Sequence, residues 1–358
     1  GDVMTGRGID QVLPHSNEPA LHEPYVRNAN QYVNLAEQAH GEIPDSVSYK
    51  YIWGDALEHF RELQPDFRLI NLETAVTDAD TYQKNKGIHY RMHPENIRLL
   101  TEAEITVAGL ANNHVLDWGE PGLLETFSTL NDAGIAYAGA GKSLEEAKKP
   151  YIRRLENNTK IFLFAAGTQT SGIPLGWQAG ENTPGVWMIE KLSRRHIDKT
   201  VRHIQATTDP GDIIIFSIHW GGNWGYETPD SQRRFAHALI DEAGVDVIHG
   251  HSSHHVKGIE VYQKKLILYG CGDFITDYEG IRGKEQYRDD LGFMYFPDLD
   301  PETGNLVNLT LAPTKIRRFQ ITGPTESEIH WLEKVLNREG KKLGTSVTRS
   351  NGKLKLQW

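Results

Sequence analysis

Cysteine is nearly absent: Cys271 stands alone in 358 residues. No intrachain disulfide can form, the redox compartment stays undecided, and a cysteine-rich structural zinc site is disfavoured. Long apolar runs are missing too, since none approaches the ~20 residues a membrane-spanning helix requires. The chain opens on Gly1 rather than methionine, as processing or trimming would leave it, and shows no signal peptide or anchor. The expectation is a soluble protein with no transmembrane segment, cytoplasmic or cell-exterior. Basic residues are in deficit: 38 Lys and Arg against 48 Asp and Glu give a formal charge of -10. A nucleic-acid partner needs a basic face to neutralise phosphate, so that class is excluded. With 24% charged and 38% hydrophobic residues the composition is that of an ordinary globular protein.

What is present is a chain long enough for one large α/β domain or two small ones. There is no internal repeat, linker or low-complexity stretch, so a single domain over 1–358 is expected, with 320–358 as a packed C-terminal helix and strand. Short β-branched runs alternate with helical patterns, as in βα units. Strands are predicted near 68–72, 105–110, 161–166, 212–218, 245–248 and 266–270. Helices fall between them: Pro121 and Gly134 bracket one, Ser143 with Glu146 opens another, residues 190–206 form a third, and Pro229 and Gly244 bracket a fourth. Thr325 and Glu328 can cap a fifth. Segments 12–50, 74–94 and 168–187 read as long loops.

Each apolar run hands directly onto polar residues. The first ends at Glu73, the second at Asn112, Asn113 and His114, and the next at His219. Another reaches His249 and His251, with His254 and His255 following, and the last reaches Asp273, while Asp2 sits at the start of the chain. Ligands of open α/β sheets bind outside the carboxyl ends of the strands. One such residue is an ordinary loop feature, but five runs delivering Asn, His, Asp or Glu to one edge have the composition of a site for one or two divalent metals. The mixed oxygen and nitrogen donors suit Mn, Zn, Fe or Ca.

The segments "GDVMTGR", "NLETAVT", "LANNHVLDWGEPGL", "SIHWGGN", "VIHGHSSHHVKGIEVY" and "LYGCGDFI" resemble, in order and spacing, the CapA-type proteins of capsule and poly-γ-glutamate biosynthesis, within the calcineurin-like metallophosphoesterase superfamily. The resemblance covers residue 1 to about 320. It implies an α/β fold, a four-layer αββα sandwich of two mixed sheets with metals at the strand ends. Asp2, Glu73, Asn113, His219, His249 and His251 are then the expected metal ligands. His114, His254, Asp2 and Asp273 are the expected acid/base groups.

There are departures. Met4 occupies the histidine position of the superfamily's Asp-x-His motif, "GHSSHH" replaces Gly-x-His-Pro-His, Asp273 stands where an amide is common, and no apolar strand precedes "GDVM". The implied activity is metal-assisted acid/base chemistry on a peptide or poly-γ-glutamate-like substrate, by hydrolysis or transfer. Cα epimerisation, as in a lasso-peptide-epimerase-like branch, and a non-catalytic role in polymer assembly are the alternatives. Lys86, Arg91 and His93 in "KNKGIHYRMH" offer charge for a substrate carboxylate. Trp220 is a candidate pocket wall. Oligomeric state is not legible.

Overall fold

In the computed structural model, residues 1–155 and 158–358 are described. Two sheets lie at the centre. The first has five strands, in the order Asp273–Ile275, Asp2–Val3, Leu69–Leu72, Val107–Gly109 and Ala136–Ala138. All of its pairings are parallel, so it is not one of two mixed sheets. The second has seven strands and is mixed. Met188–Ile189, Lys160–Thr168, Ile213–His219, Val247–His251 and Lys265–Leu268 run parallel in that order, while Ile259–Tyr262 and Tyr151–Arg154 pair antiparallel with it.

Strands buried on both faces read as continuous apolar runs rather than as alternation. Period two still sorts the side chains. Ile161, Leu163, Ile213, Ile215 and Val247 face the core between the sheets, which also takes Val107 from the first sheet. Phe162, Phe164, Ile214, Phe216 and Ile248 face outward and pack with helices Arg194–Gln205 and Asp230–Ala243. On the far side of the first sheet, Ile70, Leu72 and Ala108 pack with Trp53, Leu99, Leu123 and Phe127 from helices. The result is the four-layer α/β sandwich expected, of metallophosphoesterase-like form.

A third sheet was not anticipated. Leu291–Leu299, Leu306–Arg317, Gln320–Thr322, Ser346–Ser350 and Lys353–Gln357 form an antiparallel sheet, and its Phe293, Leu309, Leu311 and Leu354 join the central core. Prolines hide it, because proline argues against a strand interior. Pro297 lies on the edge strand, and Pro313 sits between the stretches where its strand meets Lys353–Gln357, at 310–311, and Gln320–Thr322, at 315–317. The 320–358 tail therefore holds three strands and a helix. Segment 12–50 is not a loop throughout, since Asn30–His40 is helical. Tyr32 and Ala36 of that helix are buried and Val33 packs against the core beside them, a short apolar face within a mostly polar stretch. The predicted helix at 326–340 is present with a complete Thr325–Glu328 capping box.

Phe216 is fully buried against Trp187 and Phe235. Phe216→Ala is expected to cost about 3–5 kcal/mol. Thr325→Ala, which removes one cap, is expected to cost about 1 kcal/mol. Urea unfolding midpoints of the two variants check the ranking.

Candidate metal centre and cleft

The strand pairing sets the site. In the first sheet Asp2 lies in register with Asp273 on one side and Asn71 on the other. In the second, His219 is paired with His251 at the carboxyl ends of adjacent parallel strands. The two sheet edges meet, and Asp2, His219 and His251 each present a donor atom within 4.8 Å of the others. All three are buried. His219 Nδ1 and His251 Nδ1 are 2.7 Å apart, and His251 Nδ1 is 3.7 Å from Asp2 Oδ1. Asp2 is itself held, Oδ1 accepting from Asn71 Nδ2 at 2.7 Å and Oδ2 from Ser252 N at 3.2 Å. Glu73 Oε1 lies 3.9 Å from His114 Nε2 and 3.9 Å from His219 Nε2. Asn113 Oδ1 is 2.9 Å from His219 Nε2.

The asparagine–histidine turn divides its labour. Asn112 faces inward, donating to Asn71 Oδ1 and Leu72 O and accepting from the backbone N–H groups of His114 and Val115. It shapes the turn. His114 then stacks on Tyr90, ring centroids 3.8 Å apart, with Nδ1 2.6 Å from Asp117 Oδ2. Asp117 also accepts from Tyr90 N and from Lys86 Nζ. A second histidine–carboxylate pair stands nearby: His254 Nδ1 is 3.0 Å from both carboxylate oxygens of Asp273, and its Nε2 is 2.7 Å from Asn223 Nδ2. A cleft of about 470 Å³ opens over these groups, lined by Glu73, Asn113, His114, His219 and His254 among others.

Burial dominates the electrostatics. It pulls His219 down to about 4 and holds His251 and His114 well below the usual imidazole range, with Lys86 adding to the effect at His114. Burial, and after it the Asp2 carboxylate, push Glu73 well above the usual carboxylate range. Asp117 is raised to about 6 by burial, against the pull of Lys86. His254 differs, because although burial lowers it, the Asp273 carboxylate outweighs that and leaves it raised. Buried, uncharged imidazoles whose nitrogens converge beside crowded carboxylates match what a divalent cation needs, since it binds neutral imidazole and ionised carboxylate. The donor set fits a metal.

Several sequence candidates fall elsewhere. His249 lies two residues, one strand repeat, below the trio, its Nδ1 facing Ser217 Oγ at 2.9 Å, because side chains two apart on a strand share a face but are a full repeat apart. Arg91, His93 and Trp220 do not line the cleft. Arg91 donates to Ala79 O and stacks on Trp118, His93 Nδ1 accepts from Glu95 N, and Trp220 is packed behind the second sheet, donating to Tyr269 O. Lys86 does line the cleft, but its ammonium is engaged by Asp117. Sequence reasoning passed over Arg7, Tyr90, Tyr278, Asn71 and Asn223. Arg7 carried one signal, its place in "GDVMTGR"; buried, it is paired with Glu23 and Asp277 and stacks on Tyr32. Asn71 and Asn223 carried the same kind of signal, their places in "NLETAVT" and "SIHWGGN", whereas Tyr90 and Tyr278 lie outside the segments that carry the resemblance.

A four-layer α/β sandwich with buried aspartate and histidines at its strand ends defines a class of candidate metal-dependent proteins. Comparison with known sequences places the chain within it. Residues 1–278 match the family described as Bacterial capsule synthesis protein PGA_cap, and the chain belongs to that family. It is 42% identical over 348 residues to a "Probable polyglutamine synthesis accessory protein" of Mycobacterium tuberculosis, covering 97% of this chain and 91% of the relative. It is 32% identical over 233 residues to the "PGA biosynthesis protein CapA" of Bacillus subtilis, covering 63% and 58%. It is 28% identical over 350 residues to the "Capsule biosynthesis protein CapA" of Bacillus anthracis, covering 93% and 74%. Among the described residues no helix is long and apolar enough to cross a membrane.

Two predictions follow from the geometry. His219→Ala and His251→Ala are each expected to empty the site after loading with Mn or Zn and desalting, while Arg91→Ala keeps wild-type metal content by elemental analysis. The second concerns His254. A histidine whose folded pKa is raised stabilises the fold below its unfolded value, about 6.5, and loses that contribution as pH rises through the folded value. In metal-free protein the urea midpoint of wild type should therefore exceed that of His254→Asn most below about pH 6, and the difference should shrink as pH rises above about 6.5.

Proposed function

We propose that the protein is a metal-dependent enzyme acting in poly-γ-glutamate or capsule synthesis, cleaving or transferring an amide of a poly-γ-glutamate-like chain by acid/base chemistry. One observation carries this reading: two histidines, each held by a carboxylate, share one cleft with His219, through which the buried Asp2, His219 and His251 trio reaches it. The family and the printed names of its relatives supply the substrate class.

Asp2, His219 and His251 would hold the ion, with Glu73 and Asn113 beside them. A divalent cation supplies Lewis acidity there, polarising a carbonyl or phosphoryl oxygen and easing the ionisation of water. His114 exchanges its proton at Nε2, because Nδ1 is committed to Asp117 and Nε2 faces Glu73. Tyr90 fixes the plane of the ring by stacking, and Lys86 neutralises Asp117. His254, fixed by Asp273 at Nδ1, offers a second proton-carrying group. Arg282 and Lys284 add positive charge at the cleft wall, complementary to a substrate with a carboxylate on every residue. The same two histidine–carboxylate pairs also meet the needs of proton removal and return at a peptide Cα, the second reading.

The test is incubation of Mn- or Zn-loaded protein with poly-γ-glutamate in D₂O, following chain length and deuterium at Cα. Chain shortening or transfer that falls about 10²–10⁴-fold in His114→Ala, with metal retained, is the expected result. Deuterium uptake without cleavage selects epimerisation. Binding of the polymer with neither change overturns the enzymatic reading in favour of an assembly role.

A further inference from the structure

We infer that Ser217 and His249 form an outer shell that sets the metal affinity of the centre by fixing the orientation and tautomer of His251; the inference rests on the metal-site reading above. The register of the two parallel strands pairs Ser217 with His249 and His219 with His251. Ser217 Oγ lies 2.9 Å from His251 Nε2 and 2.9 Å from His249 Nδ1, and these are its hydrogen-bond partners. Ser217 is fully buried, and both histidines are buried with it.

The direction of this chain is forced once a cation is bound. His251 Nε2 faces Ser217, so only Nδ1, which faces His219 and Asp2, is open to a metal. A metal at Nδ1 requires a lone pair there, which places the ring proton on Nε2. That N–H donates to Ser217 Oγ. The serine hydroxyl then has its own hydrogen to place, and His249 Nδ1 is the acceptor within reach. His249 must in turn carry its proton on Nε2. His249 is among the residues that line the cavity of about 740 Å³ between the sheets.

Two further observations agree. His249 and His251 are both buried, and a neutral imidazole has one donor and one acceptor nitrogen, as the chain through Ser217 requires. A charged His249 would have no acceptor for the serine proton. The arrangement matches the general rule that a metal-ligating histidine hands its other N–H to a fixed oxygen, whose loss costs 10–100-fold in affinity. It also gives a role to the histidine that the sequence pattern offered as a ligand.

The test measures Zn and Mn dissociation constants by competition with a chelator, on the full chain. Ser217→Ala is expected to weaken binding about 10–100-fold. His249→Leu, which leaves the serine hydrogen unplaced, should weaken it as well, and His249→Gln, whose side-chain oxygen accepts from Ser217, should restore most of it. Long-range ¹H–¹⁵N spectra of the imidazoles supply an independent readout: in Zn-loaded protein both His249 and His251 should show the Nε2–H tautomer. If Ser217→Ala binds metal within twofold of wild type while His251→Ala does not, the outer-shell role is overturned and the metal site stands. If His251→Ala also binds as wild type, the metal-site reading itself has failed. Should His249→Leu not fold, Ser217→Ala and the tautomer spectra decide alone.

Discussion

The cleft depends on one constraint, the in-register parallel pairing of Ile213–His219 with Val247–His251. It sets His219 beside His251 at the sheet edge and Ser217 beside His249 one repeat below. A slip of one residue would turn every one of these side chains to the opposite face, toward the helices. Register is therefore protected by the hydrophobic pattern of the same strands, whose alternate residues are divided between two cores. The residues that build the core and those that build the site share one alternation, so stability of the fold and geometry of the site cannot vary independently.

The second sheet edge brings charge to that pair. Asp2, Glu73 and Asp273 are buried carboxylates on strand ends of the first sheet, and burial together with the neighbouring Asp2 and Asp273 charges pushes Glu73 well above the usual carboxylate range. The histidines opposite are neutral for the same reason. A site that is strained toward neutrality when empty gains most from a cation, which relieves the carboxylates without charging the imidazoles. Around this centre the polar side chains are arranged as holders: Asn71 and Ser252 on Asp2, Asp117 on His114, Asp273 on His254. Few of them face the cleft by themselves.

Much of this was legible in the chain. Buried parallel strands announce themselves as β-branched runs, and the polar residues that end them point to the sheet edge, so Asp2, Glu73, His114, His219 and His251 could be gathered without a structure. Capping chemistry located the helices at 144–148 and 326–340 because it is local. The antiparallel sheet of residues 291–357 was not legible, since Pro297 and Pro313 break the pattern and only the edge position and the gap between neighbours make them tolerable. Arg91 and His93 read as substrate cations on charge alone. Their actual partners, Ala79 O, Trp118 and Glu95 N, are a matter of chain path.

The sequence by itself determined the class of fold, the side chains available for metal and proton chemistry, and the edge they would occupy, because periodicity and strand termini are local properties of the chain. Only the tertiary structure decided which of the histidines at 249–255 meet Asp2. His251 does, His249 is held below it by Ser217, His254 turns to Asp273, and His255 packs between Tyr226 and Tyr287. Four imidazoles within seven residues are chemically equivalent in sequence. They are distinguished by their depth along the strand or their place in the turn after it, and by the partner that two folded sheets bring to each.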